Sequence, residues 1–101
     1  MKLTFRPAAL SDIQEARDYI AKTLKNPSAA KKLVSMIWQT ALLLKTNPYM
    51  GAALSGKFDV DSEIRFLIIQ KQLLFYEVGE DTVEVIRVID GRRDYIALLF
   101  D

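Results

Sequence analysis

Ile64-Arg65-Phe66-Leu67-Ile68-Ile69, then Gln70-Lys71, then Gln72-Leu73-Leu74-Phe75-Tyr76-Glu77-Val78: two β-branched and aromatic runs stand two residues apart. Runs of this kind read as strands, and a two-residue connection makes them an antiparallel hairpin. A third such run, residues 82–89, follows Gly79-Glu80-Asp81 and completes a meander. Side chains alternate along a strand. Ile64, Phe66, Ile68, Leu73 and Phe75 therefore share one face, and Arg65, Leu67, Ile69, Leu74 and Tyr76 the other. Both faces are largely apolar, so each needs a cover. One helical layer covers one face. The second is either closed by the chain's own loop and C-terminal turns or offered to a partner, with Leu67, Leu74 and Tyr76 as candidate partner contacts.

Upstream, residues 2–6 alternate as a short half-buried strand that Pro7 ends. Ser11 and Gln14 have capping-box spacing, which places the start of a first helix between Pro7 and Ser11. Leu10, Ile13, Ala16 or Arg17, Ile20 and Leu24 form its expected inward stripe. Asn26-Pro27 stops that helix and starts the next, with Asn26 as N-cap. Ala30, Leu33, Val34, Ile37, Ala41 and Leu44 form the second stripe, which runs to about Thr46 before Asn47-Pro48. Residues 47–62 hold Pro48, Gly51 and Gly56 without periodicity and read as a loop. Gly91 closes the third strand of the meander, and residues 94–100 suit one or two helical turns. The expected fold is α+β: an N-terminal strand, an antiparallel helical hairpin and a three-strand antiparallel meander, in a single domain over residues 1–101.

Composition removes whole classes of chemistry. The 101 residues are 50% hydrophobic and 27% charged, and include neither cysteine nor histidine. That excludes disulfides, thiolate nucleophiles, Cys- or His-ligated metals and a histidine base. None of the serines sits in a Gly-x-Ser-x-Gly turn, and Gly51 and Gly56 lack P-loop neighbours. Glu80-Asp81 and Asp59-Val60-Asp61 read as solvated loop carboxylates, so neither metal nor cofactor is expected. Net charge is +1, yet residues 1–50 carry eight Lys/Arg against three Asp/Glu and residues 51–101 six against ten. The chain thus lacks the basic excess of a general nucleic-acid binder. No apolar run approaches the ~20 residues of a spanning helix, and the N-terminus has no signal-peptide pattern. A cytoplasmic protein without a membrane partner is the expectation.

Four features stand out. Trp38 lies one step off the second helical stripe, either packed at the hairpin's edge or free to anchor a partner. Arg65 and Arg87 interrupt apolar strands, as sheet-surface residues with partners (Arg65 beside Tyr76) or as functional groups. Gly91-Arg92-Arg93-Asp94-Tyr95 sets two guanidiniums, a carboxylate and a phenol at a strand-end turn, where phosphate or carboxylate recognition is common. The same spacing also suits an Arg–Asp ion pair that closes the C-terminus.

Residues 83–95, Val-Glu-Val-Ile-Arg-Val-Ile-Asp-Gly-Arg-Arg-Asp-Tyr, resemble the C-terminal signature of the RelE/ParE toxins of type II toxin–antitoxin systems. Asn47-Pro48-Tyr49-Met50-Gly51 resembles that family's segment after the second helix, and the paired strands at 64–69 and 74–76 are similar too. The resemblance covers essentially the whole chain. It implies a toxin held by a cognate antitoxin in a hetero-oligomer, with DNA gyrase (ParE-like) or ribosome-bound mRNA (RelE-like) as target. An antitoxin-binding module without toxicity is the remaining alternative. Asp90 stands where the family commonly has histidine. The strand lysines of the nucleases would fall near Ile64 and Phe66, and the arginine of the next strand at Leu73. Only Arg93 and Tyr95 keep nuclease-like chemistry, which places the chain closer to the ParE branch. Arg65, Arg92, Arg93 and Tyr95 are the candidate functional residues.

Overall fold

A computed structural model describes residues 1–100. Strand β1 (Lys2–Phe5) leads into helix α1 (Pro7–Asp18), whose end widens into a π-helical turn at Tyr19–Thr23. Helix α2 (Pro27–Leu43) returns antiparallel to it. Then come β2 (Ala52–Ala53), a 3-10 turn at Leu54–Gly56, β3 (Arg65–Ile69), β4 (Gln72–Val78), β5 (Thr82–Asp90) and a short α3 (Tyr95–Phe100). The sheet runs β1-β5-β4-β3-β2. β1 is parallel to β5, and every other pairing is antiparallel. The α+β expectation holds, with one strand more than the meander and β1: β2 lies inside the expected loop and pairs with Arg65 and Phe66.

Helix starts follow local chemistry. The Asn26 carboxamide oxygen accepts the Ala29 amide at 3.1 Å, and Pro27 takes the first helical position, where an amide proton has no helical acceptor anyway. Helix α1 starts at Pro7 without a side-chain cap, so the Ser11–Gln14 box lies inside the helix and caps nothing. Its inward residues are Ala9, Ile13, Ala16 and Ile20, while Leu10 and Leu24 of the expected stripe face solvent. The π turn moves the phase by a residue, which carries Leu24 off the buried side.

Both sheet faces are covered from within. Under the hairpin, Leu74, Tyr76, Val83, Val85 and Val88 meet Ile13, Leu33, Ile37 and Ala41. On the other face Phe66, Leu73, Phe75, Ile86 and Ile89 are closed by Leu54, Phe58, Val60 and the inner side of α3. The face assignment of residues 64–76 holds, but the partner role of Leu74 and Tyr76 does not. Leu74 and Tyr76 are fully buried and offer no surface, while Leu67 packs against the same core and stays partly exposed. A bulge sets Phe75 opposite Arg87 but Tyr76 opposite Val85, which leaves Ile86 extra. Val83, Val85 and Val88 can then all face the helices while Ile86 and Ile89 face the other way.

Two arginines inside strands are structural. Arg65 donates to the Gly51 carbonyl from Nε (3.0 Å) and Nη2, and to the Tyr49 carbonyl from Nη2 at 3.3 Å. Its guanidinium lies over the Tyr49 ring, not Tyr76, although Tyr76 is its cross-strand neighbour. The Tyr76 hydroxyl accepts the Gly51 amide at 2.9 Å. A Cβ on Gly51 would stand 2.7 Å from both the Phe66 carbonyl oxygen and that hydroxyl, so only glycine fits. Arg87 forms a two-pronged pair with Asp12 of α1, Nε to Oδ2 at 2.7 Å and Nη2 to Oδ1 at 2.9 Å. Asp12 Oδ2 also accepts the Val88 amide at 2.9 Å, beyond the point where β1 has ended at Phe5. That carboxylate fixes α1 to β5.

Candidate functional site

The C-terminal signature runs along β5 and, after Asp90, folds into a turn at one end of the sheet. Gly91 donates its amide to the Lys71 carbonyl at 2.8 Å, which ties the turn to the β3–β4 connection. The Asp90 carboxylate accepts three hydrogen bonds from Arg92: its amide (2.8 Å), Nε (3.0 Å) and Nη2 (2.8 Å). The hydrogen-bonded guanidinium holds the Asp90 carboxyl down at about 2. The expected ion pair therefore exists, but it runs from Arg92 back to Asp90. Asp94 instead caps α3 by accepting the Ala97 amide at 3.3 Å.

The four candidate residues separate into different roles. Arg93 lies exposed at the turn, and among the described residues no carboxylate pairs with it. Arg92 is exposed but engaged by Asp90. Tyr95 turns inward, edge-on to Phe58 at 5.7 Å and tilted against Phe75 at 5.4 Å, so its ring closes the lower core. Arg65 sits at the opposite end of β3 and serves the Gly51 loop. The cluster thus reduces to a free Arg93 beside a tethered Arg92.

The Asp90 pair makes a measurable claim. In Arg92→Ala the Asp90 carboxyl should rise from about 2 towards the ordinary ~3.9, followed by carboxyl carbon NMR against pH. The folded value lies below the unfolded one. The pair therefore stabilises the fold above about pH 4, and that stabilisation is lost as pH falls towards 2. An Asp90 midpoint unmoved by the substitution would show that the guanidinium is not its partner in solution.

This turn forms one wall of a cleft that composition and periodicity did not reveal. Two adjoining lobes of about 370 and 690 Å3 share Ala16, Tyr19, Gln72, Asp90 and Arg92. The opposite wall is the π-helical end of α1, where the Leu24 amide reaches back five residues to the Tyr19 carbonyl at 3.0 Å. The only sequence signal for it was Tyr19 itself, an aromatic outside the inward stripe.

Trp38 packs tilted against Phe5 of β1 with ring centroids 4.6 Å apart and stays 39% exposed, one helical turn before Leu42 at 55%. Through Phe5, Trp38 lies against β1, an edge strand of the sheet. No helix is long and apolar enough to cross a membrane among the described residues.

Residues 3–95 match the family model described as ParE toxin of type II toxin-antitoxin system, parDE. The fold is similar to a solved chain titled as the chromosomal ParDE toxin–antitoxin system from P. aeruginosa, at TM-score 0.73 and 21% identity, covering 89% of this chain and 95% of that one. No curated protein sequence matches the chain.

Proposed function

The chain belongs to the ParE toxin family of type II toxin–antitoxin systems, and from that premise we propose that it arrests growth by inhibiting DNA gyrase in the cytoplasm until a cognate antitoxin covers it. The observation that favours gyrase over mRNA is the commitment of the strand arginines. Metal-free RNA cleavage needs a base, an acid and charge to stabilise the transition state. Arg65 and Arg87 are held by Gly51 and Asp12, while Ile64, Phe66 and Leu73 supply none of these. Among the described residues Arg93 alone remains as a free cation at the turn, which suits recognition better than cleavage.

The antitoxin would lie on the helical layer rather than on the sheet. Trp38, packed against Phe5 of β1, and Leu42 one helical turn further on offer exposed apolar side chains. The outer groove of the hairpin has Ala30 and Val34 on its floor and Arg17 and Lys31 on its rim, which fits an acidic amphipathic segment.

Purified chain should inhibit gyrase supercoiling, and its induction should cause DNA damage and filamentation with mRNA intact. A ribosome-programmed cleavage assay run beside it should give no new 5′ ends. Ends mapped within codons, with supercoiling untouched, would overturn the gyrase reading in favour of RelE-like cleavage. Induction without growth arrest would leave only the antitoxin-binding module.

A further inference from the structure

We infer that the target-contacting surface is the whole cleft closed by the Arg92-Arg93 turn, with Tyr19 as an aromatic anchor on the far wall, and that its occupant is a protein segment presenting a carboxylate beside an apolar side chain. This rests on the reading that the Arg93 turn meets the target.

Three observations converge on the cleft. Tyr19 and Leu24 are 51% and 56% exposed, two large apolar side chains held out of the core on the same turn. Exposed aromatics of this kind are enriched among the residues that dominate protein interfaces. The backbone irregularities of the helical and strand connections also meet here: the π turn, Lys25 at φ 53° and Gln70 at φ 55°. Lys25 and Gln70 are the only non-glycine residues with positive φ among the described residues, and they fall on the two connections that border the cleft. Neither is a glycine, so the chain accepts strain on both, as it commonly does where a binding wall must be shaped.

Charge selects the occupant. Two acids of the walls, Asp12 and Asp90, are consumed by Arg87 and Arg92. Arg93 and Lys71 remain as cations without a paired carboxylate among the described residues, against Glu15 as the one such acid. A surplus of one charge is far too small to gather a phosphate backbone, whose binding depends on neutralising several charges at once. It is enough to orient one carboxylate at the mouth while Tyr19 and Leu24 take an apolar neighbour.

The test compares Tyr19→Ala, Tyr19→Phe and Lys71→Glu with Arg93→Ala in the full chain. Growth arrest at graded induction is read first, because it does not depend on the target's identity; half-inhibition of purified gyrase is read beside it. Tyr19→Ala should weaken both by about tenfold or more, and Tyr19→Phe, which keeps the ring, should weaken them less. Melting temperature and capture of the antitoxin encoded beside the toxin should be unchanged in all. Lys71→Glu lies outside the core and should weaken toxicity as well, so the test stands even if Tyr19→Ala fails to fold. Full toxicity of Tyr19→Ala and Lys71→Glu beside a silent Arg93→Ala would overturn the cleft and leave the Arg93 reading in place. Full toxicity of all three would overturn both. Loss of antitoxin capture with toxicity kept would assign the cleft to the antitoxin. A fluorescent single-stranded oligonucleotide bound by the wild type and released by Tyr19→Ala would assign it to nucleic acid. Either result overturns the inference.

Discussion

Asp12→Ala should be the most destabilising single substitution outside the apolar core, at about 3 kcal/mol. The carboxylate is only 7% exposed, yet it serves three donors: Arg87 Nε and Nη2 and the Val88 amide. Truncation leaves a partly buried guanidinium and a β5 amide without an acceptor, and each unmet group carries its own desolvation cost. For 101 residues the loss corresponds to a Tm lower by on the order of 12–18 °C. Asp12→Asn keeps one acceptor oxygen for Val88 and should cost less. Arg87→Ala strands the buried charge instead, and the double Ala variant should fall well short of the sum, because each single change already breaks the same pair. Thermal unfolding of the four proteins checks this. A loss under 1 kcal/mol for Asp12→Ala, or strict additivity, would show that α1 is held to β5 by packing alone.

That carboxylate also marks the limit of what could be read beforehand. A charged residue between apolar positions of a helix ordinarily faces water, and nothing in the spacing of Asp12 linked it to Arg87, seventy-five residues away. The strands were legible because β-branched runs and turn residues are local signals. So was the Asn26-Pro27 junction, whose cap geometry depends on a single side chain. Alternation also sorted residues 64–76 correctly between the faces, but a face says nothing of what covers it. Leu74 and Tyr76 therefore looked available and are not, while Phe58 and Val60, in a stretch without periodicity, close the opposite face. The bulge at Ile86 and the π turn at Tyr19 were out of reach for the same reason. Each is a one-residue departure from a repeat, made favourable only by tertiary packing. Among the site residues the motif singled out Arg92, Arg93 and Tyr95 together, and geometry separates them into a tethered cation, a free one and a core ring.

Arg93→Ala should abolish toxicity and leave the fold and antitoxin binding nearly intact, whereas Arg65→Ala should lower the melting temperature. The contrast follows from their partners. Arg93 is exposed and makes no ion pair among the described residues, so its removal costs the fold close to nothing, within the ~0–1 kcal/mol typical of surface charges. A charge-assisted contact with a target is worth about 1.5–3 kcal/mol, or roughly 10- to 150-fold in affinity. Arg92 cannot take over, because the Nε–Nη2 edge of its fork is already occupied by Asp90. Arg65 instead holds the Tyr49 and Gly51 carbonyls and stacks on the Tyr49 ring, so truncation frees the loop that leads into β2 and should cost about 2 kcal/mol. Growth on induction, antitoxin capture and Tm of both variants decide the matter. A melting shift for Arg93→Ala as large as that for Arg65→Ala would make the C-terminal arginine structural. Undiminished toxicity of Arg93→Ala would move the target contact away from this turn altogether.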